Sequence, residues 1–167
     1  MHKNALSLLE IVISIALIAI VILGFSRVFQ VGSMSIYKND QEVTATNLAV
    51  GLMSEIISKP FCDPTNCTAT LGPETVESRT TCGSNGFDDV DDYNGSVEGP
   101  DPAPRDIRAC EMAEFKGFIR SVNVSYVYQN MTDSGGATTD FKRIKVSVNS
   151  TTLPLISITE VKSNVTQ

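Results

Sequence analysis

The chain carries a single histidine, His2, at its extreme N-terminal end. A Ser-His-Asp triad or a histidine-rich zinc site needs imidazoles inside a folded site, so neither fits this sequence. Basic residues are also scarce: 13 Lys and Arg stand against 19 Asp and Glu, for a formal net charge of −6. That balance argues against a nucleic-acid partner, which calls for a basic patch. No GxGxxG, P-loop or HExxH pattern occurs, and no CxxC pair marks a redox site. An enzyme is not expected, and neither is a cofactor apart from the calcium site weighed below. No proline precedes Pro60, and no charged residue lies between Ile11 and Ser26. Together these two absences leave room for one long helix with a membrane-grade start.

That start is hidden in the averages. The mean hydropathy of +0.04 is ordinary for a soluble protein. It sums a strongly apolar segment and a polar, acidic remainder. Residues from Ile11 to Ser26 would span about 24 Å as a helix, short of a hydrocarbon core of roughly 30 Å. Starting at Leu6 reaches about 31 Å but places Glu10 inside the span. A carboxylate there costs on the order of 2.5–3.5 kcal/mol. A secretory signal peptide and a plain transmembrane anchor both explain the apolar run. Neither explains Glu10.

A third reading does. Lys3-Asn4-Ala5 is followed by Leu6-Ser7-Leu8-Leu9-Glu10 and then by the apolar run from Ile11. This arrangement resembles the type IV prepilin and pseudopilin family. The family pattern is a short basic leader, a small residue, an apolar residue, a hydroxyl residue, two apolar residues, a Glu and a long hydrophobic helix. The resemblance implies leader cleavage between Ala5 and Leu6, and N-methylation of the new Leu6 amine. It also gives Glu10 a role in assembly: pairing with the N-terminal amine of a neighbouring subunit. Such a pair is strong in low dielectric, and it relieves the cost of a buried carboxylate. The bland alternative is that Glu10 snorkels to the interface. Ala5 stands where the family usually has Gly, and Leu6 where Phe or Met is common. The helix-kinking Pro of major pilins, near Arg27, is missing, which points to a minor subunit or a pseudopilin.

The helix is expected to run from Leu6 to about Ser58 and to end at Lys59-Pro60, because the residue before Pro is biased away from α. Its first part, 6–36, is apolar all round. Its second part, 37–59, is amphipathic: Ala45, Leu48, Ala49, Leu52 and Ile56 recur at three- and four-residue steps. Lys38, Asp40, Glu42 and Glu55 are expected on the wet side. Gly24, Gly32 and Gly51 are weak points at roughly 1 kcal/mol each against Ala.

Strand signals follow near the other end. Val122, Val124, Tyr126 and Tyr128 alternate with mostly polar neighbours, then Ile144, Val146 and Val148 do the same, and Leu155 to Val161 reads as a third strand. Turns are expected at Thr132–Gly136 and Asn149–Thr152. The predicted fold class is α+β, in the pilin arrangement that the resemblance implies: a long N-terminal α-helix packed against a small antiparallel β-sheet at 118–167. Between them, 60–117 is the variable region, with a disulfide-containing loop.

All four cysteines, Cys62, Cys67, Cys82 and Cys110, fall in that region. An even count suggests disulfides in an oxidising compartment. Three connectivities are possible, and sequence proximity favours Cys62–Cys67 with Cys82–Cys110. A four-thiolate zinc site is the alternative, at a poor spacing. The same region holds Phe87-Asp88-Asp89-Val90-Asp91-Asp92-Tyr93-Asn94-Gly95. Its first reading is a solvated acidic loop. Its second is a calcium site using Asp88, Asp89, Asp91, Asp92 and Asn94, since calcium takes six to eight oxygens, although the register is not an EF-hand. The acidic string also resembles minor pilins of the mannose-sensitive haemagglutinin pilus type.

These features lead to an expected structural role: a minor type IV pilin subunit that assembles into, or primes, a cell-surface pilus. The resemblance implies as partners other pilin subunits, prepilin peptidase, inner-membrane lipid and a pilus assembly platform. It implies a single inner-membrane pass with a periplasmic C-terminal domain before assembly. A minor pseudopilin of a type II secretion system is the alternative within the class. A membrane-anchored, calcium-dependent adhesive or ligand-binding domain is the alternative outside it.

Overall fold

The computed structural model describes residues 8–63, 67, 70–75, 77–83 and 86–164. The presumed leader, the cut site at Ala5 and Leu6, and the Leu6 amine lie outside the described residues. The fold is α+β and pilin-like in architecture: one long N-terminal helix, then a four-stranded antiparallel sheet. Two compact units divide at Asp40.

Helix α1 (Leu8–Ser58) runs for 51 residues and passes through Gly24, Gly32 and Gly51 without a break. Unit one is its apolar part. Every described residue from Leu8 to Asp40 is exposed. By length and composition this helix can cross a membrane. Ser14, Ser26 and Ser33 each donate a hydroxyl hydrogen bond to the carbonyl four residues back, so the few polar groups of the run are satisfied along the helix itself.

Unit two begins at Gln41. Ala45, Leu48, Ala49, Leu52 and Ile56 are buried, as their spacing predicts, and Met53 joins them. They pack on Val122, Val124, Ile144, Val146 and Val148 of the sheet in one core. The sheet order is β1 (Val97–Glu98), β2 (Phe118–Tyr126), β3 (Phe141–Ser150), β4 (Leu153–Ser163), each neighbour antiparallel. Register places Val122 opposite Val146 and Val124 opposite Ile144, which stacks β-branched side chains on the face that meets α1. Three strands were expected, and the two-residue β1 is added from the variable region. Its pairing with Arg120 and Ser121 covers the free edge of β2.

The first predicted strand ends sooner than its alternation implies. Val127 is fully buried and Tyr128 is 47% exposed, the reverse of the expected phase. Val127 N–H still donates to Phe141 O at 3.0 Å and Val127 bridges to Asp133, and beyond it the backbone turns. Tyr128 N–H donates to Thr132 O, Met131 N–H to Tyr128 O, and Met131 takes φ +67°. The end of α1 is capped from a distance. Lys162 Nζ of β4 donates to Ile57 O at 2.9 Å and to Lys59 O, supplying a cation where helix carbonyls have no partner of their own.

Candidate functional site

Two regions carry the expected functional residues: the start of α1 and the loop system between α1 and the sheet. Glu10 lies in the first turn of α1 and is exposed. It is the only acidic residue from Leu8 to Asn39. Around it Leu8, Leu9, Ile11, Val12 and Ile13 are all exposed. The start of the helix thus presents one carboxylate within apolar surface.

Both favoured disulfides are formed, Cys62–Cys67 and Cys82–Cys110, and no cysteine is free. The zinc alternative is thereby overturned, because the thiolates it needs are consumed as disulfide sulfurs.

The acidic run is not a solvated loop. Asp89, Asp91 and Asp92 are 1%, 4% and 0% exposed, and only Asp88 of the four faces solvent. A short 3-10 turn at Asp91–Tyr93 explains how the charges are tolerated. Asp89 Oδ1 accepts from the N–H groups of Asp91 and Asp92, and Asp92 Oδ2 accepts from those of Asp88 and Asp89. Asp91 pairs with Lys142, a fully buried residue of β3, at 2.5 Å. Lys142 also donates to Phe61 O and lies 4.0 Å from the Phe61 ring centroid. Burial pushes the Asp91 carboxyl up to about 6, against the pull of Lys142. Asn94 Oδ1 accepts from Val124 N–H at 3.0 Å, which fastens the run to β2. Of the five residues expected to hold calcium, the structure brings carboxylate oxygens of Asp88, Asp89 and Asp92 within 4.8 Å of one another. It directs Asp91 and Asn94 to structural partners.

A second set of carboxylates was not foreseen. One oxygen from each of Glu74, Glu77 and Asp92 also lies within 4.8 Å of the others. Burial, followed by the neighbouring carboxylates, holds the Glu77 carboxyl well above its ordinary range, and burial raises Asp92 as well.

Glu55 departs from the expected wet side of α1. Its side chain is 9% exposed and pairs with Arg79, itself 7% exposed. Arg79 Nε donates to Glu98 at 3.1 Å, and the guanidinium also reaches Tyr93 Oη and the carbonyl of Asp106. Tyr93 Oη donates to Glu55 at 2.6 Å. Glu98 in turn pairs with Arg120 of β2. The network joins α1, the loop, β1 and β2. Burial works against the Arg79 charge, but Glu98 and Glu55 outweigh it and leave its pKa raised. One signal for such residues is present in the sequence. Arg120 and Lys142 fall in the same two-residue phase as the buried Val122, Val124, Ile144 and Val146. A charge in phase with a buried face needs a partner on the element that covers it.

Beside this network runs a groove of about 590 Å³, lined in part by Asn47, Leu48 and Gly51 of α1 with Ile107, Met112 and Phe115. Comparison of the chain with protein-family models, curated proteins and solved structures finds no match to any of them.

Proposed function

We propose that this chain is a minor type IV pilin, a structural subunit that is cut between Ala5 and Leu6 and joins a pilus through α1. The observation that carries the reading is the fully exposed apolar part of α1 preceding a folded α+β domain. A surface apolar on every side is stable only in lipid or against other helices. A pilin meets both in turn: inner-membrane lipid first, a filament core afterwards. The proposed place of the domain is the periplasm before assembly and the cell surface after it. The two disulfides suit such an oxidising route.

In this reading Glu10 acts by charge. Prepilin peptidase frees the Leu6 amine and methylates it, and the assembly platform brings an incoming subunit alongside. The Glu10 carboxylate then pairs with a neighbour's amine in a low-dielectric core, where an unpaired carboxylate is costly. Register along the filament follows from that one pairing.

The test is Glu10→Val. The variant should remain membrane-inserted, folded and processed, yet enter pili at least about tenfold less, a factor that corresponds to only about 1.4 kcal/mol. Wild-type incorporation of the variant would remove the assembly role. Intact mass of the wild-type protein should show the loss of residues 1–5 and one added methyl group. The missing helix-kinking Pro fits a minor pseudopilin of a type II secretion system equally well. Deletion of the gene separates the two, by loss of pili in one case and loss of protein secretion in the other.

A further inference from the structure

The sheet has two edges, and among the described residues only one is covered. β1 pairs along the edge of β2, while β4 pairs with β3 alone. One bond fixes the direction of its main-chain groups. Val127 N–H donates to Phe141 O, so Phe141 and the alternate residues after it on β3 face β2. The residues between them, Ile144, Val146 and Val148, face β4 and bond to Glu160, Ile158 and Ile156. The N–H and C=O groups of Ser157, Thr159 and Val161 therefore point off the sheet. Among the described residues no backbone group meets them. Proteins blunt such an edge with Lys, Pro, a bulge or a covering segment. Leu155 to Val161 holds neither Lys nor Pro, and its register with β3 is regular from Ile156 onward. A seven-residue segment rich in β-formers, with Glu160 as its one charge, is a template for another strand.

The flank beside this edge is unfinished too. β4 runs alongside α1: Thr152 Oγ1, just before the strand, donates to Gln41 Oε1 at 2.5 Å, and Lys162 Nζ near its end donates to Ile57 O at 2.9 Å. Ile156, Ile158 and Glu160 are in the inward phase, opposite the buried Val148, Val146 and Ile144. Yet both isoleucines are only half-buried and Glu160 is exposed, so α1 does not cover β4 as it covers β2 and β3. On α1, Val43, Val50 and Ile57 follow one another at seven-residue steps, and Val43 and Val50 are exposed. Val50 and Ile57, with Met53, Ser54, Ile158 and Glu160, line a cavity of about 140 Å³. Glu160 forms no ion pair with Lys or Arg among the described residues.

We propose that the β4 edge is a strand-addition site for another polypeptide: an extended segment with apolar side chains at alternate positions and a basic residue opposite Glu160. A strand seated about 4.7–4.9 Å beyond β4 bonds to the outward groups of Ser157, Thr159 and Val161, and such main-chain bonds supply the affinity in this mode of recognition. Its inward side chains supply the specificity. One of them, opposite Ile158, enters the cavity beside Val50, which has room for an aliphatic side chain. The residue opposite Glu160 belongs to a close, non-hydrogen-bonded pair, which brings a Lys or Arg within reach of the carboxylate. The occupant is a different chain and not a second copy. The one cation of β4 is Lys162, whose Nζ is already held by Ile57 O and Lys59 O of the helix end. A second β4 therefore brings another carboxylate and no available countercharge. The site uses nothing at the start of α1 and does not depend on the pilin reading.

The probe is a fluorophore-labelled peptide blocked at both ends, Thr-Lys-Thr-Leu-Thr-Val-Thr. Run antiparallel to Leu155–Val161, it puts its Lys opposite Glu160, its Leu opposite Ile158 and its Val opposite Ile156. The full chain in detergent micelles is titrated into it and anisotropy is followed, with empty micelles as the reference. Saturable binding of one peptide per chain is expected, with Kd below about 1 mM. N-methylation of the two central threonines removes N–H groups that face β4 and should weaken binding at least about tenfold. N-methylation of the Leu and the Val, whose N–H groups face away, should leave it within about twofold. Glu160→Gln should weaken binding about two- to fivefold. Thr159→Pro removes an outward N–H that β3 does not use, so the fold should persist by near-UV circular dichroism while binding weakens at least about tenfold. The two N-methylated peptides decide the matter on the wild-type chain alone, whatever that proline does to the fold. No saturable binding up to about 1 mM, or equal weakening by both N-methylated peptides, would overturn the site. So would a concentration-dependent dimer of the chain that Thr159→Pro abolishes, since the edge would then serve a second copy.

Discussion

Replacing Arg79 with Met tests whether the loop system is held to α1 by charge. Arg79 is a buried cation that serves two buried carboxylates, Glu55 and Glu98, whose side chains are 9% and 12% exposed. Met fills much of the same volume as the stem but puts no cation over the Phe87 and Tyr93 rings, whose centroids lie 5.9 and 5.5 Å from the Arg79 guanidinium carbon. What it removes is the countercharge. Glu98 keeps Arg120 as a partner, but among the described residues Glu55 is left with only the Tyr93 hydroxyl. Breaking a buried pair on one side costs about 3–5 kcal/mol, chiefly the burden of the charge left behind. For a domain of ordinary stability, about 5–15 kcal/mol, that is about a fifth or more of the total. With a urea slope of about 2 kcal/mol/M the midpoint should fall by about 1.5–2.5 M. The assay is urea unfolding of the full chain in detergent, followed by near-UV circular dichroism. Adding Glu55→Gln to Arg79→Met should recover at least about 1 kcal/mol, since the abandoned charge is then gone. Arg79→Lys should fall between wild type and Arg79→Met, because one ammonium cannot span the acceptors that the guanidinium fork reaches. An Arg79→Met midpoint within about 0.5 M of wild type, or no recovery in the double variant, would refute the reasoning.

The buried Asp91–Lys142 pair should behave in the same sense: Lys142→Met costs about 3–5 kcal/mol and Asp91→Asn in the same chain restores most of it, measured by chemical denaturation. Gly99 takes φ +89°, and a Cβ placed there would lie 2.0 Å from Phe118 O. Gly99→Ala should therefore cost at least about 2 kcal/mol and loosen the β1–β2 pairing, seen as faster amide exchange at Glu98. Replacing both Cys82 and Cys110 with Ser opens a loop closed across 28 residues, which should cost about 3–4 kcal/mol and make the 83–109 segment the first site of limited proteolysis.

Periodicity and punctuation carry far in this chain. The long uncharged run and the lack of proline before Pro60 set the extent of α1. The three- and four-residue recurrence of Ala45, Leu48, Ala49, Leu52 and Ile56 picks out the face that is buried. Period-two alternation locates the cores of β2 and β3, and cysteine proximity matches the disulfides formed. These features are local: each is decided by residues within a few turns of one another, so a linear reading reaches them. Glu10 is legible for a related reason, since it interrupts a run whose physical demand is uniform.

The loop system was not legible, and the reason is distance along the chain. An Asp run of this kind is ordinarily solvated, and here it is buried because Lys142 and turn amides meet it after folding. Glu55 has the position of a wet-side residue on α1 until Arg79 folds over it. Glu74 and Glu77 carry no motif at all and acquire meaning only when Asp92 arrives beside them. Hydrophobic pattern by itself determined which elements form and which faces they bury. Only the tertiary structure decided which charges share the interior, because a buried charge is set by its partner and the partners lie tens of residues apart.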